Sequence, residues 1–162
     1  MTATKFLAAG ALTIGVALAG CGPKEGATPT VLKGEAKDDH DHGAGPHGGT
    51  IIEFGKYHAE FTVDHGKKQA TVYVLDGKVK NAVPIAAVKL LLSIKSPQFQ
   101  ADLVAVPQDG DPKGKASRFV ATHDNLGKEQ EFEGTVSGEI DGKPYLGDFK
   151  EEEHKDHKHD KK

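Results

Sequence analysis

Histidine is the residue type that opens chemistry to this chain: nine are present, against one cysteine and one methionine. Neutral imidazole is the commonest protein metal ligand. Two stretches set it among carboxylates, Asp38-Asp39-His40-Asp41-His42 and His154-Lys155-Asp156-His157-Lys158-His159-Asp160. Such short tracts read either as metal-binding segments or as soluble, charged chain in which histidine is incidental. A third, more local set is Gly45-Pro46-His47-Gly48-Gly49-Thr50 followed by Tyr57-His58-Ala59-Glu60. On a strand, His58 and Glu60 stand two residues apart and project from one face. The glycine-flanked His47 enters from a turn about ten residues earlier and can fold back over them. Two imidazoles and one carboxylate make a three-ligand site with an open position, suited to Zn(II) or Cu(II). The competing reading makes His58 and Glu60 ordinary outward-facing strand residues.

Catalysis finds no comparable support. No Gly-x-Ser-x-Gly elbow, His-Glu-x-x-His pair or phosphate-cradling glycine loop occurs, so the expected function is binding and not an enzyme reaction. A superoxide-dismutase-like copper–zinc sandwich is discounted because His40-Asp41-His42 falls in a polar tract and no His-x-His falls on a strand.

The lone cysteine has a different role. Lys5 precedes an apolar run from Phe6 to Gly20 that is interrupted only by Thr13 and ends in Leu18-Ala19-Gly20-Cys21. The run has the h-region and small-residue cleavage site of a secretory signal, and at about fifteen residues it falls short of the roughly twenty needed to span a bilayer. With cysteine directly after Leu-Ala-Gly it resembles a bacterial lipoprotein signal. That resemblance implies removal of residues 1–20, lipidation of Cys21 and an extracytoplasmic, membrane-anchored protein, since two or three acyl chains pass the marginal binding of one. Gly22 in place of Asp after the cysteine points to an outer membrane facing the periplasm where there are two membranes. Sulfur then leaves the ligand set, because Met1 departs with the leader and Cys21 is acylated. Imidazole and carboxylate remain, suited to Zn(II), Cu(II), Ni(II) or Co(II) and not to Cu(I).

Net charge is −3 for the whole chain, and −4 once Lys5, the only charge of residues 1–20, is removed. A mildly acidic chain lacks the basic patch that nucleic acid requires. Of ten Phe and Tyr residues, all but Phe6 lie between Phe54 and Phe149, so the apolar core belongs to one domain, residues 46–149. Residues 21–45 are rich in Gly, Pro, Lys, Asp and His and read as a flexible tether. Residues 150–162 are charged or histidine throughout and read as a disordered tail.

Within the domain the hydrophobic period is two. Tyr57, Ala59, Phe61 and Val63 alternate with His58, Glu60, Thr62 and Asp64; Ala70, Val72 and Val74 with Thr71, Tyr73 and Leu75; Val88, Leu90, Leu92 and Ile94 with Lys89, Leu91, Ser93 and Lys95. Phe99 to Ala105, Arg118 to Thr122, and Phe132, Val136 and Ile140 continue it. Asp64-His65-Gly66-Lys67, Asp76-Gly77, Ser96-Pro97, Asp124-Asn125-Leu126-Gly127 and Asp141-Gly142 supply turns. Short strands at this spacing predict an all-β fold, an antiparallel β-sandwich (immunoglobulin-like) or small barrel. Pro84 and the β-branched Val83, Ile85 and Val88 argue against a helix over Ala82 to Leu92. Gly134 and Gly138 share the inward parity of Phe132, Val136 and Ile140, which predicts a bulge or a close contact.

The stretch from Pro46 to Pro84 resembles small periplasmic domains associated with heavy-metal efflux, in which a Pro-His-Gly-Gly-like turn leads into strands. It is similar to segments of the periplasmic adaptor subunits of resistance-nodulation-division metal pumps, and to lipoproteins carrying that segment alone. The chain lacks an adaptor's helical hairpin and lipoyl-like halves. The leading expectation is a lipid-anchored metal-binding protein with His47, His58 and Glu60 as the domain site and His40, His42, His154, His157 and His159 as accessory ligands. The alternative is an envelope lipoprotein that docks efflux or envelope proteins through Leu75, Leu91 and Val104, apolar residues on faces assigned to solvent.

Overall fold

A computed structural model of the chain describes Leu32–Lys33 and residues 44–151. The alternating segments become strands of a single sheet: β1 Leu32–Lys33, β2 Thr50–Phe54, β3 Tyr57–Asp64, β4 Gln69–Leu75, β5 Lys89–Ile94, β6 Phe99–Ala105, β7 Arg118–Thr122, β8 Glu133–Ile140 and β9 Lys143–Lys150. Their order is β1-β9-β8-β5-β6-β7-β4-β3-β2. Every pairing is antiparallel except β1 with β9, where Leu32 faces Tyr145 and Lys33 faces Leu146 in parallel register. This two-residue strand falls inside the stretch read as tether. The rest of that stretch before residue 44, and the tail beyond Glu151, lie outside the described residues.

Turn chemistry sets the registers. Ile140 pairs with Lys143 across Asp141-Gly142, both at positive φ (52° and 74°), the two-residue hairpin geometry for which Asp-Gly is suited. Phe54 pairs with Tyr57 across Gly55-Lys56, where Gly55 alone takes positive φ, at 66°. The predicted antiparallel all-β fold is present as one rolled sheet, close to a barrel, and not as two separate sheets. Its first and last long strands meet at Gly147, where a Cβ would lie 2.4 Å from the Glu53 carbonyl oxygen and 2.5 Å from Ile52 Cγ2. Only glycine lets β9 approach β2 that closely. Gly134 and Gly138 likewise mark close contacts, with the Ser93 carbonyl and the Leu90 side chain.

The inward rows pack into one core that includes Ile52, Phe61, Val72, Leu92, Leu103, Phe119 and Val136, all at most 1% exposed. Phe61 stacks on Phe149 at 4.4 Å between ring centroids. Each such side chain contributes about 1.5–3 kcal/mol on burial, so packing supplies the stability that no internal disulfide can. One single-turn 3-10 helix, Asp124–Gly127, drops the fully buried Leu126 into the end of the roll. Residues 82–88 make bridges and bends, with Ala82 against Leu75 and Ile85 against Ala116.

Two parity assignments change. Leu75, expected on a wet face, is 2% exposed because the segment bearing Ala82 bridges onto it. Val88, expected on the inward row of β5, is 84% exposed because it precedes the strand; its carbonyl accepts from Ala105 N–H.

Candidate functional site

The loop before β2 is built around Glu60. Gly48 N–H donates to the Gly45 carbonyl and Gly45 N–H to that of Gly49, both at 2.9 Å. Gly48 takes φ +80°. The loop lies across the outer face of β3, where Glu60 Oε1 accepts from His47 N–H at 2.7 Å and Gly49 N–H at 2.9 Å. Glu60 Oε2 accepts from His47 Nδ1 at 2.6 Å. Strand parity puts Glu60 on the wet side of the sheet, yet it is 0% exposed because the loop covers it. Three N–H donors make that buried carboxylate tolerable.

Gly49 is required by space. Its Cβ would sit 2.2 Å from the Phe61 carbonyl oxygen. The Pro46-His47-Gly48-Gly49 motif is therefore the fitted lid of a buried glutamate. His47 stacks on Tyr73, with ring centroids 3.7 Å apart and planes at 8°; Tyr73 is the cross-strand neighbour of Glu60. Held between ring and carboxylate, the imidazole still has 41% of its side chain exposed. In the neutral ring, donation from Nδ1 leaves the lone pair on Nε2, and Nε2 has no hydrogen-bond partner among the described residues.

The expected domain site is thus assembled in part. His47 and Glu60 meet, with Glu60 in the role of the imidazole's orienting partner. His58 shares the strand face of Glu60 but directs its Nδ1 toward the Asp76 carbonyl at 3.3 Å. Cys21, His40, His42, His154, His157 and His159 lie outside the described residues.

Two further histidines were not among the site residues expected from sequence. His65 donates from Nδ1 to the Leu126 carbonyl at 2.8 Å, so in the neutral ring its lone pair is on Nε2. His123 works in reverse, its Nδ1 accepting from Asn125 N–H at 3.1 Å to start the 3-10 turn, while its ring stacks on Phe99 at 4.0 Å. His65 and His47 line one groove of about 450 Å³ together with Thr62, Gln130, Glu131 and Glu151. In sequence His65 reads only as part of a turn. Its acceptor stands 61 residues away, which no local pattern conveys.

No family model, curated protein or solved structure matches the chain. The chemistry of the site therefore rests on its own geometry. Among the described residues, no group of three His, Cys, Asp or Glu side chains is placed to hold a metal ion. The groove has two carboxylates and two imidazoles on its walls and no lysine or arginine, a lining that favours a cation over an anion. Elsewhere the surface carries exposed ion pairs such as Lys67–Asp64 at 2.6 Å and Lys89–Asp102 at 2.8 Å. Among the described residues the carboxylate of Asp76 is pushed down to about 2, by hydrogen bonds from Lys80 N–H first and then the Asn81 side-chain amide.

Proposed function

We propose that this chain is a lipid-anchored, extracytoplasmic protein that binds a divalent transition metal, Zn(II) or Cu(II), for buffering or delivery alongside metal efflux. The observation that carries the reading is His47. Its Nδ1 is tied to a buried carboxylate at 2.6 Å while its ring remains exposed, the partner arrangement that orients metal-ligating imidazoles and raises their basicity. The sulfur-poor ligand set supports a borderline divalent ion over Cu(I). Anchoring through Cys21 belongs to the same proposal; no helix among the described residues is long and apolar enough to cross a membrane.

Calorimetric titration of untagged chain from Gly22 to Lys162 with Zn(II) and Cu(II) tests the reading. Micromolar or tighter binding that weakens in His47→Gln is the expected result, and no heat from either metal overturns it.

A second reading, a docking lipoprotein, keeps one observation. Of the three apolar residues expected on wet faces, Leu75 is buried and Leu91 half-buried, but Val104 is 54% exposed. Pull-down from membranes in the presence of a chelator separates the two readings. A partner retained there by a protein without metal affinity favours docking.

A further inference from the structure

Every cation of this chain is a lysine except one, Arg118 at the start of β7. Its neighbours in sequence on the strand, Phe119 and Ala121, are buried, and the strand period sends Arg118 and Val120 to the outer face. There Tyr73 of β4 is the cross-strand partner of Arg118, and Thr71 that of Val120. These side chains line a second groove, of about 460 Å³, within the size range of small-molecule pockets. Tyr73 stands between the two sites: β3 with Glu60 flanks it on one side and β7 with Arg118 on the other.

Arg118 is half-buried and oriented but not neutralised. Its Nε donates to the Val106 carbonyl at 3.4 Å, which leaves the four terminal N–H groups of the fork. No carboxylate lies within ion-pair distance of it among the described residues, whereas the more exposed Lys67, Lys68, Lys89 and Lys95 each have an acid. Lys67, also on the groove wall, is matched by Asp64 at 2.6 Å. Asp111, in the loop before β7, has its oxygens occupied by Gln108 N–H, Ser117 N–H and the Ser117 hydroxyl. The side-chain polar groups of Tyr73, Thr71 and Gln69 face the same groove and have no partner among the described residues. A charge taken partly out of water without a counter-ion is costly, and a bound anion offsets that cost.

We propose that this groove binds a carboxylate-bearing sugar, a uronic acid, with its carboxylate clamped by Arg118. A planar guanidinium takes a carboxylate through two parallel N–H···O bonds, which a lysine cannot do. The sugar hydroxyls meet Tyr73, Thr71 and Gln69, and its C–H face meets Val106 and Val120. A phosphate calls for a nest of backbone N–H groups, but the amides of β4 are committed to the ladders with β3 and β7. The site is independent of the metal-binding reading, so either can fail without the other.

The test is nitrogen–proton NMR of untagged chain from Gly22 to Lys162, titrated separately with sodium glucuronate, glucose, sodium acetate and inorganic phosphate. Glucuronate shifts the amides of Thr71, Tyr73, Arg118 and Val120 and the Arg118 Nε–H resonance, saturating in the millimolar range. Glucose leaves them in place, and acetate and phosphate bind at least about tenfold more weakly because they lack the hydroxyl contacts. These comparisons need no variant. Arg118→Gln and Arg118→Lys each weaken glucuronate binding about tenfold or more, the second because it keeps the charge and loses the fork. Tyr73→Phe, which retains the ring against His47, weakens it about three- to tenfold. The amide spectra of the variants show whether the sheet is intact. Unmoved groove resonances with glucuronate, an equal response to acetate or phosphate, or undiminished binding in a folded Arg118→Gln each overturn the proposal.

Discussion

His47 and Glu60, thirteen residues apart in sequence, share a 2.6 Å hydrogen bond across the outer face of β3. The same carboxylate also takes the backbone N–H groups of His47 and Gly49. One buried side chain thus closes a loop, orients an imidazole and satisfies two amides.

Glu60→Ala is expected to lower stability on the order of 2–3 kcal/mol, because the two backbone N–H groups and the ring donor lose their acceptor. For a domain of this size that is a fall in Tm of roughly 10 °C or more. Thermal denaturation followed by circular dichroism measures it. A variant that melts with the unsubstituted protein would show the loop to be held by something other than this carboxylate.

The two glycines after His47 should respond differently to alanine. Gly48→Ala meets no atom within 4 Å and pays only for φ +80°, about 1–2 kcal/mol. Gly49→Ala drives a Cβ to 2.2 Å from the Phe61 carbonyl, so β3 or the loop has to move. Urea midpoints for the pair should rank Gly48→Ala well above Gly49→Ala; the reverse order would contradict the packing described for the loop.

Most of the sheet could be read from residue order because strand periodicity and turn chemistry are local. Tyr57 to Val63 alternates, and Asp141-Gly142 forms the expected hairpin. Burial of Glu60 was not readable in this way: parity says which side of the sheet a residue faces but not whether a distant loop lies over it. For the same reason Leu75 turned out buried, covered by Ala82. Strand β9 went unmarked because Pro144 and Gly147 interrupt its apolar pattern, although Gly147 is what allows β9 to meet β2. The groove was invisible for a deeper reason, since it joins His47, His65 and Glu151 from three separated stretches that only the rolled sheet brings together.

Asp76 predicts a limited acid sensitivity. Its carboxylate accepts from Lys80 N–H at 3.0 Å, the Asn81 amide at 2.6 Å and Lys78 N–H at 3.1 Å, which holds its pKa near about 2 against a usual 3.8. A depressed carboxylate stabilises the folded state above its unfolded pKa, and that contribution fades as pH falls from about 4 toward 2. The stability difference between the protein and Asp76→Asn should be constant above about pH 5 and narrow below pH 4. Urea titrations across that range test it, and a gap of unchanged size at pH 2.5 would show that the carboxylate's charge is not what holds the loop.

Metal affinity separates the two roles that same-face positions on β3 can play. If His47 binds through Nε2 and Glu60 orients it, then Glu60→Gln, which replaces a charged acceptor by a neutral one, should lower Zn(II) affinity about 10- to 100-fold. His58, whose Nδ1 is turned to the Asp76 carbonyl, should tolerate substitution: His58→Gln is expected to change affinity by less than about threefold, within what non-ligands contribute. A co-ligand set of His47, His58 and Glu60 predicts large losses for both variants, since both would remove a bond to the metal. Parallel calorimetry of the two variants distinguishes an orienting carboxylate from a ligating one, and equal losses would return His58 to the site.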